Sequence, residues 1–98
     1  MPERRGSPRI ELSVACTLRR RSGSTIEART VDLGPGGMSV TTNRPLADDE
    51  VVFFDLPLSP DQVVDGSARV LRQQRYGVYA LRFESTSASV AHSLASIA

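Results

Sequence analysis

The fold of this chain is decided by residues 25–42, which read TIEARTVDLGPGGMSVTT. Two runs rich in β-branched residues, 25–33 and 38–42, flank a short stretch of glycine and proline. β-Branched residues favour strands, and a stretch of glycine and proline between two such runs predicts a turn. The two runs are therefore predicted to form a β-hairpin whose tip is residues 32–37.

The tip of this hairpin combines a carboxylate with a permissive backbone. Pro35 fixes φ at the second turn position and Gly36 can adopt a positive φ, which predicts a type II turn. Asp32 lies near the end of the first strand, where its carboxylate can accept hydrogen bonds from N–H groups. Glycines let a backbone approach a ligand closely, so we take residues 32–37 as one half of a candidate binding site.

Strand character recurs in four further parts of the chain. The first alternates apolar and polar residues over nine positions, which predicts a half-buried strand. The second is an apolar block that Pro57 and Pro60 are expected to end, because proline cannot donate to a strand ladder. The last two are expected to be linked around Gln74 and Arg75. These four runs are residues 10–18, 51–56, 64–73 and 76–84.

The predicted interior consists of the apolar phase of these strands. All three phenylalanines and one of the two tyrosines are expected to point inward. Cys16 is the single cysteine, so it cannot form an internal disulfide. It falls on the apolar phase of residues 10–18, and we expect an inert buried thiol there.

From residue 85 onward the pattern changes to helical spacing. Apolar residues recur at intervals of four and three from Val90, which predicts a short amphipathic helix with one of residues 85–87 as its N-cap. His92 lies off the apolar stripe and is expected to be exposed. Six short antiparallel strands followed by one helix predict an all-β fold, a six-stranded antiparallel β-barrel with a short C-terminal helix. Closure of the barrel removes the exposed edges that such strands would otherwise leave.

The length of 98 residues suits one domain with one core. We expect a flexible arginine-bearing arm at 1–9, the barrel at 10–84 and the helix at 85–98. No run of about 18 apolar residues occurs, and no apolar stretch follows the first arginines, so neither membrane insertion nor a signal peptide is expected. A cytoplasmic location is predicted.

The net charge of +1 conceals a basic start to the chain. Residues 1–21 hold six arginines against two glutamates. This local excess suits a small anion better than a long nucleic acid, because nucleic-acid binders are usually basic over a whole face. An RNA- or DNA-binding barrel is favoured only by residues 19–21, three arginines, and by the basic start. We therefore do not expect nucleic acid as the partner.

The residues needed for catalysis and for metal binding are scarce. One cysteine and one histidine cannot supply a cluster of metal ligands. No nucleophile elbow and no phosphate-binding loop occurs. Residues 48–50, Asp-Asp-Glu, are expected to form a solvated loop. The sequence predicts a protein that is not an enzyme and that has no metal and no cofactor.

Two motifs in order resemble the PilZ domain family, bacterial receptors for the second messenger cyclic di-GMP. The family pattern is R-x-x-x-R near the N-terminus and, roughly twenty to thirty residues later, [D/N]-x-S-x-x-G in a strand-connecting turn of a six-stranded barrel. Residues 5–9, RGSPR, supply the first motif, and residues 32–37, DLGPGG, supply the second after 22 intervening residues. Residues 76–83, YGVYALRF, also resemble the last strand of the family.

The resemblance implies cyclic di-GMP as the ligand and a role for each motif residue. Arg5 and Arg9 would clamp phosphates and guanine Hoogsteen edges, and Arg4 would add charge or stack on a base. Asp32 would accept hydrogen bonds from the Watson–Crick side of a guanine. Gly37 would let the turn approach the ligand without a Cβ in the way.

Gly34 also belongs to the implied ligand-binding set, but it stands where the family has serine. The missing hydroxyl forfeits about 0.5–1.5 kcal/mol with a neutral partner, or roughly 1.5–3 kcal/mol with a phosphate oxygen. Two functions therefore stay open. The first is a bacterial cytoplasmic receptor or adaptor that changes its interaction surface on binding cyclic di-GMP and so signals to a protein effector. The second is an interaction scaffold that has kept the barrel and lost nucleotide binding.

Overall fold

The computed structural model describes residues 9–90, 92 and 93. Seven strands form one antiparallel sheet in the order β1-β3-β2-β5-β6-β7-β4, and pairing of β3 with β4 closes it. Six strands thus make a closed barrel, as predicted, and the short β1 is added outside the ring on β3. The strands are β1 (Ile10–Glu11), β2 (Ala15–Arg20), β3 (Thr25–Gly34), β4 (Gly37–Thr42), β5 (Val51–Ser59), β6 (Gln62–Arg75) and β7 (Val78–Thr86).

The single strand predicted at 10–18 is divided into β1 and β2. Both pieces pair with β3, but their registers on β3 differ by one residue. The Thr30 hydroxyl fills the gap between them. It accepts a hydrogen bond from the Val14 N–H at 2.8 Å and donates one to the Leu12 carbonyl. The alternation of burial continues through the break, so the sequence pattern predicted the two faces correctly and missed the change in register.

The hairpin predicted at 25–42 is present as β3 and β4. Gly34 pairs with Gly37, which leaves Pro35 and Gly36 as the turn. The expected type II turn is wrong, because the described glycines with positive φ do not include Gly36. This turn therefore does not depend on the conformational freedom of glycine at its third position.

Two predicted strand ends also differ from the structure. β5 runs through Pro57, which pairs with Val63 on β6. β2 pairs with β5 only as far as Asp55, so Pro57 lies where β5 needs no ladder hydrogen bond on that side. The turn between β6 and β7 is Tyr76-Gly77 rather than Gln74-Arg75, and Gly77 adopts a positive φ of 76° there.

Apolar side chains fill the barrel. Cys16 is buried, as predicted, and burial raises the pKa of its thiol to about 11. Phe54 is buried with its ring centroid 5.1 Å from that of the half-buried Phe83. Phe53 was expected in the core and is instead 38% exposed, because strand alternation turns it outward when Phe54 turns inward. The Arg19 guanidinium covers the outward ring at 5.3 Å from its centroid.

The chain beyond β7 is described only in part. β7 continues to Thr86, so two of the residues expected to cap the helix belong to a strand. Ser89 caps the helical residues that are described, since its hydroxyl accepts from the His92 N–H at 3.1 Å. His92 is exposed, as expected. The rest of the predicted helix and the arm at 1–8 lie outside the described residues. Within the described part, no helix has the length and apolar character needed to cross a membrane.

Candidate ligand site

The N-terminal motif and the hairpin tip meet at one point of the barrel. β1 pairs antiparallel with the end of β3, with Glu11 opposite Asp32. This pairing brings Arg9, the residue just before β1, to the Asp32 side chain. The Arg9 Nε donates to Asp32 Oδ1 at 3.1 Å, and the Arg9 Nη2 donates to the same oxygen. The structure therefore brings together the two charged residues of the candidate site that it describes.

A cleft of about 280 Å³ opens beside this pair, where β3, β4, β6 and β7 adjoin. We call it the motif cleft. Its lining residues come from both predicted motif regions and from two strands that were not predicted to contribute. They are Arg9, Asp32, Gly36, Gly37, Met38, Ser39, Leu71, Arg72, Gln74, Ala80, Leu81 and Arg82.

Two arginines of the motif cleft were not predicted from the sequence. Arg72 lies on β6 and Arg82 lies on β7, and both are exposed. Neither makes an ion pair or a side-chain hydrogen bond with any other described residue. Asp32 is the one acidic residue in the lining, and Arg9 already engages it. The motif cleft is therefore cationic and can accept an anion.

The position of these arginines follows from strand pairing. Arg82 pairs with Gly37 across β4 and β7, which places it beside the hairpin tip. The alternation of residues 76–84 could have shown that Arg82 points outward, but not which turn lies next to it. A register shift between Val70 and Arg72 aligns β6 with β7 at this level. No sequence pattern marked that irregularity.

Gly37 has a structural reason that differs from the predicted one. A Cβ at this position would lie under 3.0 Å from the Leu81 carbonyl oxygen and 3.3 Å from the Arg82 Cα. The glycine is thus required by the close approach of β4 to β7. Gly36 lines the motif cleft, and a Cβ there would meet no other atom within 4 Å, so it is the glycine that leaves room on the ligand side. Gly34 is buried and does not line the motif cleft.

The acidic loop before β5 is engaged by arginines in another cleft, of about 560 Å³. Arg20 donates to both oxygens of Glu50, at 2.7 and 3.1 Å, and these bonds lower the pKa of that carboxyl. Arg69 pairs with Asp49 at 3.3 Å and with Glu84 at 2.7 Å. Because carboxylates already neutralise Arg20 and Arg69, we assign no ligand to this cleft. Among the described residues no group of three or more potential ligands could hold a metal ion.

The fold and the motif cleft define a small antiparallel β-barrel domain with a cationic hollow beside a strand-connecting turn. Residues 3–97 match the family model described as PilZ domain, and the chain belongs to this family. The predicted family is therefore confirmed. A comparison with curated protein sequences finds no match.

Solved structures share the same fold. The inhibitor of motility MotI/DgrA from Bacillus subtilis is 13% identical with a TM-score of 0.74, and the match covers 96% of this chain and 48% of that one. YcgR from Escherichia coli, solved in complex with c-di-GMP, is 23% identical with a TM-score of 0.75 over 97% of this chain and 44% of YcgR. The PilZ domain of CeSA from a cellulose-synthesizing bacterium is 19% identical with a TM-score of 0.66 over 93% and 92%. The chain spans less than half the length of MotI/DgrA and YcgR.

Proposed function

We propose that this domain is a cyclic di-GMP receptor that binds the nucleotide in the motif cleft. The observation that carries the proposal is the Arg9–Asp32 pair, which joins the two family motifs at a cleft with two unpaired arginines. The crystal structure of the related YcgR with c-di-GMP supports the choice of ligand. Phosphate oxygens and guanine edges are the groups that arginine forks and a carboxylate recognise.

The chemistry of each residue follows from its hydrogen-bonding groups. Asp32 accepts from the N1–H and the exocyclic amine of a guanine. Arg9 donates to the guanine O6 and N7 or to a phosphate oxygen. Arg72 and Arg82 offer charge-assisted hydrogen bonds to the phosphates. Arg4 and Arg5, which precede the described residues, are expected to add further donors.

The domain acts as an adaptor and performs no chemistry on the nucleotide. Binding orders residues before Arg9 against the motif cleft and so changes the surface offered to a protein effector. The effector is a separate contact that the ligand-bound surface selects. A bacterial cytoplasmic location fits a receptor for a nucleotide second messenger.

Calorimetric titration with cyclic di-GMP tests the proposal. Arg9→Ala and Asp32→Asn are each expected to weaken binding by about 10- to 100-fold, because each removes a hydrogen bond to a charged group. Arg21→Ala is the matched control, since Arg21 is exposed, lies outside the motif cleft and removes the same charge. Cyclic di-AMP serves as the competing ligand, because adenine lacks the N1–H that Asp32 accepts. Equal heats for wild type, Arg9→Ala and Asp32→Asn would refute this site.

A scaffold that has lost nucleotide binding is the second candidate, and Gly34 favours it. Gly34 offers no hydroxyl where the family has serine, and its backbone is buried away from the motif cleft. A scaffold predicts a protein contact that is unchanged by Arg9→Ala and no heat with cyclic di-GMP at any practical concentration. The same titration therefore separates the two functions.

A further inference from the structure

The turn between β6 and β7 displays an aromatic side chain that the fold does not use. Tyr76 is 98% exposed, the highest exposure among the large hydrophobic residues described. The turn itself depends on Gly77, whose positive φ of 76° a type II turn requires at its third position. Nothing in that geometry favours tyrosine at the second position. An aromatic ring held fully in water can bury a large area in a contact, as interface residues do.

A second cleft, of about 330 Å³, lies beside this turn. We call it the tip cleft. One wall is the loop after β4, with Asn43, Arg44 and Pro45, and the other is the β6–β7 turn, with Gln73 and Tyr76. The tip cleft thus combines an exposed aromatic ring, a cation and side-chain amides. Aromatic rings and arginine are the residue types enriched at the centres of protein interfaces.

The walls of the tip cleft are fixed by hydrogen bonds. The Thr42 N–H donates to the Gly77 carbonyl at 3.1 Å, which ties the end of β4 to the turn. The Thr42 hydroxyl donates to the Arg44 carbonyl at 2.6 Å, and Arg20 Nη2 donates to the Pro45 carbonyl at 2.8 Å. A surface held in place before binding loses less conformational entropy when a partner docks. The tip cleft is therefore preorganised.

The charge of the tip cleft defines the chemistry of its occupant. No acidic residue is among those that line it. Arg44 makes no ion pair with any described residue, and Arg75, the neighbour of Tyr76 in the chain, makes none either. Arg20 and Arg69, by contrast, are paired with carboxylates. The unpaired cations around Tyr76 complement a partner that carries carboxylates.

We propose that the tip cleft docks an acidic segment of a protein partner, with a carboxylate on Arg44 and an apolar side chain on the Tyr76 ring. A protein is favoured over a nucleic acid by two features. The loop that carries Arg44 continues into the exposed Asp48, whose charge repels a long phosphate backbone. Single-stranded nucleic acid also needs a series of aromatic platforms, and the described surface offers only Tyr76 here.

The tip cleft adjoins the motif cleft along β6. Gln73 lines the tip cleft, and Gln74, the next residue, lines the motif cleft. A partner at the tip cleft would therefore contact the strand that also borders the proposed nucleotide site. The docking proposal does not depend on nucleotide binding, so its test is performed without nucleotide.

Backbone-amide NMR titration with synthetic peptides tests the docking proposal. The probe is a twelve-residue peptide of glutamate, aspartate and leucine, and the matched peptide replaces each acid by glutamine or asparagine. We expect the acidic peptide alone to shift the amides of residues 43–44 and 73–77. Tyr76→Ala and Arg44→Ala, both on exposed side chains, are each expected to weaken this binding about fivefold or more. Arg21→Ala, the same loss of charge outside the tip cleft, is expected to leave it unchanged.

Each alternative result overturns the proposal. An absence of shifts at millimolar acidic peptide shows that the tip cleft has no such affinity. Equal shifts with the neutral peptide remove the role of charge. Equal weakening by Arg21→Ala shows attraction to the surface as a whole. Stronger shifts at residues 43–44 and 73–77 with single-stranded dT12 than with the acidic peptide assign the tip cleft to nucleic acid instead.

Discussion

Substitution of Gly37 by alanine tests whether strand packing or ligand access explains this glycine. Gly37 is the last residue of the second motif, and it is buried where β4 pairs with β7. The added Cβ would lie under 3.0 Å from the Leu81 carbonyl oxygen, a separation that real Cβ atoms essentially never show. That oxygen belongs to backbone, so it cannot move aside as a flexible side chain would. β4 and β7 must separate at this point.

The expected cost follows from the geometry. Overpacking of this kind costs about 1–3 kcal/mol. Weakening one neighbouring backbone hydrogen bond adds roughly 1 kcal/mol. The lower entropy of the unfolded chain returns about 0.4–1 kcal/mol when alanine replaces glycine. The free energy of unfolding should therefore fall by about 1–3 kcal/mol, and Tm should fall by roughly 5–20 °C for a domain of this size.

Urea unfolding of two variants measures this effect. Gly36→Ala is the matched control, because it is one residue away, has a φ that alanine can adopt, and has no atom within 4 Å of the added Cβ. Its free energy of unfolding should stay within about 0.5 kcal/mol of wild type. The m-value should be the same for both variants, which would show that the compactness of the two states is unchanged. If Gly37→Ala unfolds at the wild-type urea concentration, or if Gly36→Ala is equally damaging, the packing argument is wrong.

Three further predictions concern the interior and its electrostatics. Thr30→Val should destabilise the domain by about 1–3 kcal/mol in urea unfolding, because the Val14 N–H and the Leu12 carbonyl lose their shared partner, whereas Thr17→Val on the exposed face should be neutral. Cys16 should react with a disulfide reagent at pH 8 only after the protein unfolds, since burial raises its pKa to about 11; rapid labelling of the native protein would contradict this. Arg20 lowers the pKa of Glu50 in the folded state, so the stabilisation from Glu50 is present above its ordinary pKa and lost as pH falls through the lowered one. Glu50→Gln should therefore flatten the loss of stability below about pH 5, and an unchanged pH profile would show that Glu50 contributes nothing.

The sequence predicted the faces of the strands better than their pairing. Alternation placed Cys16 and Phe54 inside, because side-chain direction along a strand has a period of two regardless of neighbours. Phe53 was misplaced since hydrophobicity alone was followed where two aromatic residues stand side by side. Pairing depends on register, and neither the shift at Thr30 nor the one near Arg72 has a signal in the residues themselves.

The candidate site divides in the same way. Asp32 was identified because a turn with proline and glycines is visible in the sequence, and Arg9 because the motif spacing resembles a family. Their contact was expected and is present. Arg72 and Arg82 were not identified, since strands distant in sequence bring them to the motif cleft only when the barrel closes. Residues contributed by long-range pairing are the ones that sequence motifs omit.

The Arg9–Asp32 pair determines which ligands the motif cleft can prefer. Each side chain must exchange its partner when a ligand enters, and the exchange is inexpensive because both are partly exposed, 47% and 28%. A simple anion replaces the partner of Arg9 and leaves Asp32 with none, whereas a guanine carrying a phosphate replaces both. Arg72 and Arg82 have no partner to lose among the described residues, so the phosphates gain attraction there without an exchange.

Affinity and selectivity in the proposed receptor should therefore lie on different residues. Arg72→Ala and Arg82→Ala should weaken cyclic di-GMP and cyclic di-AMP by the same factor, because both nucleotides carry the same phosphates. Asp32→Asn should instead reduce the ratio between the two affinities, since the carboxylate reads a donor that only guanine has. Competition calorimetry of the three variants measures both quantities. If Arg82→Ala changes the ratio while Asp32→Asn leaves it intact, the nucleotide lies in the motif cleft with its bases on β7 rather than on the hairpin tip.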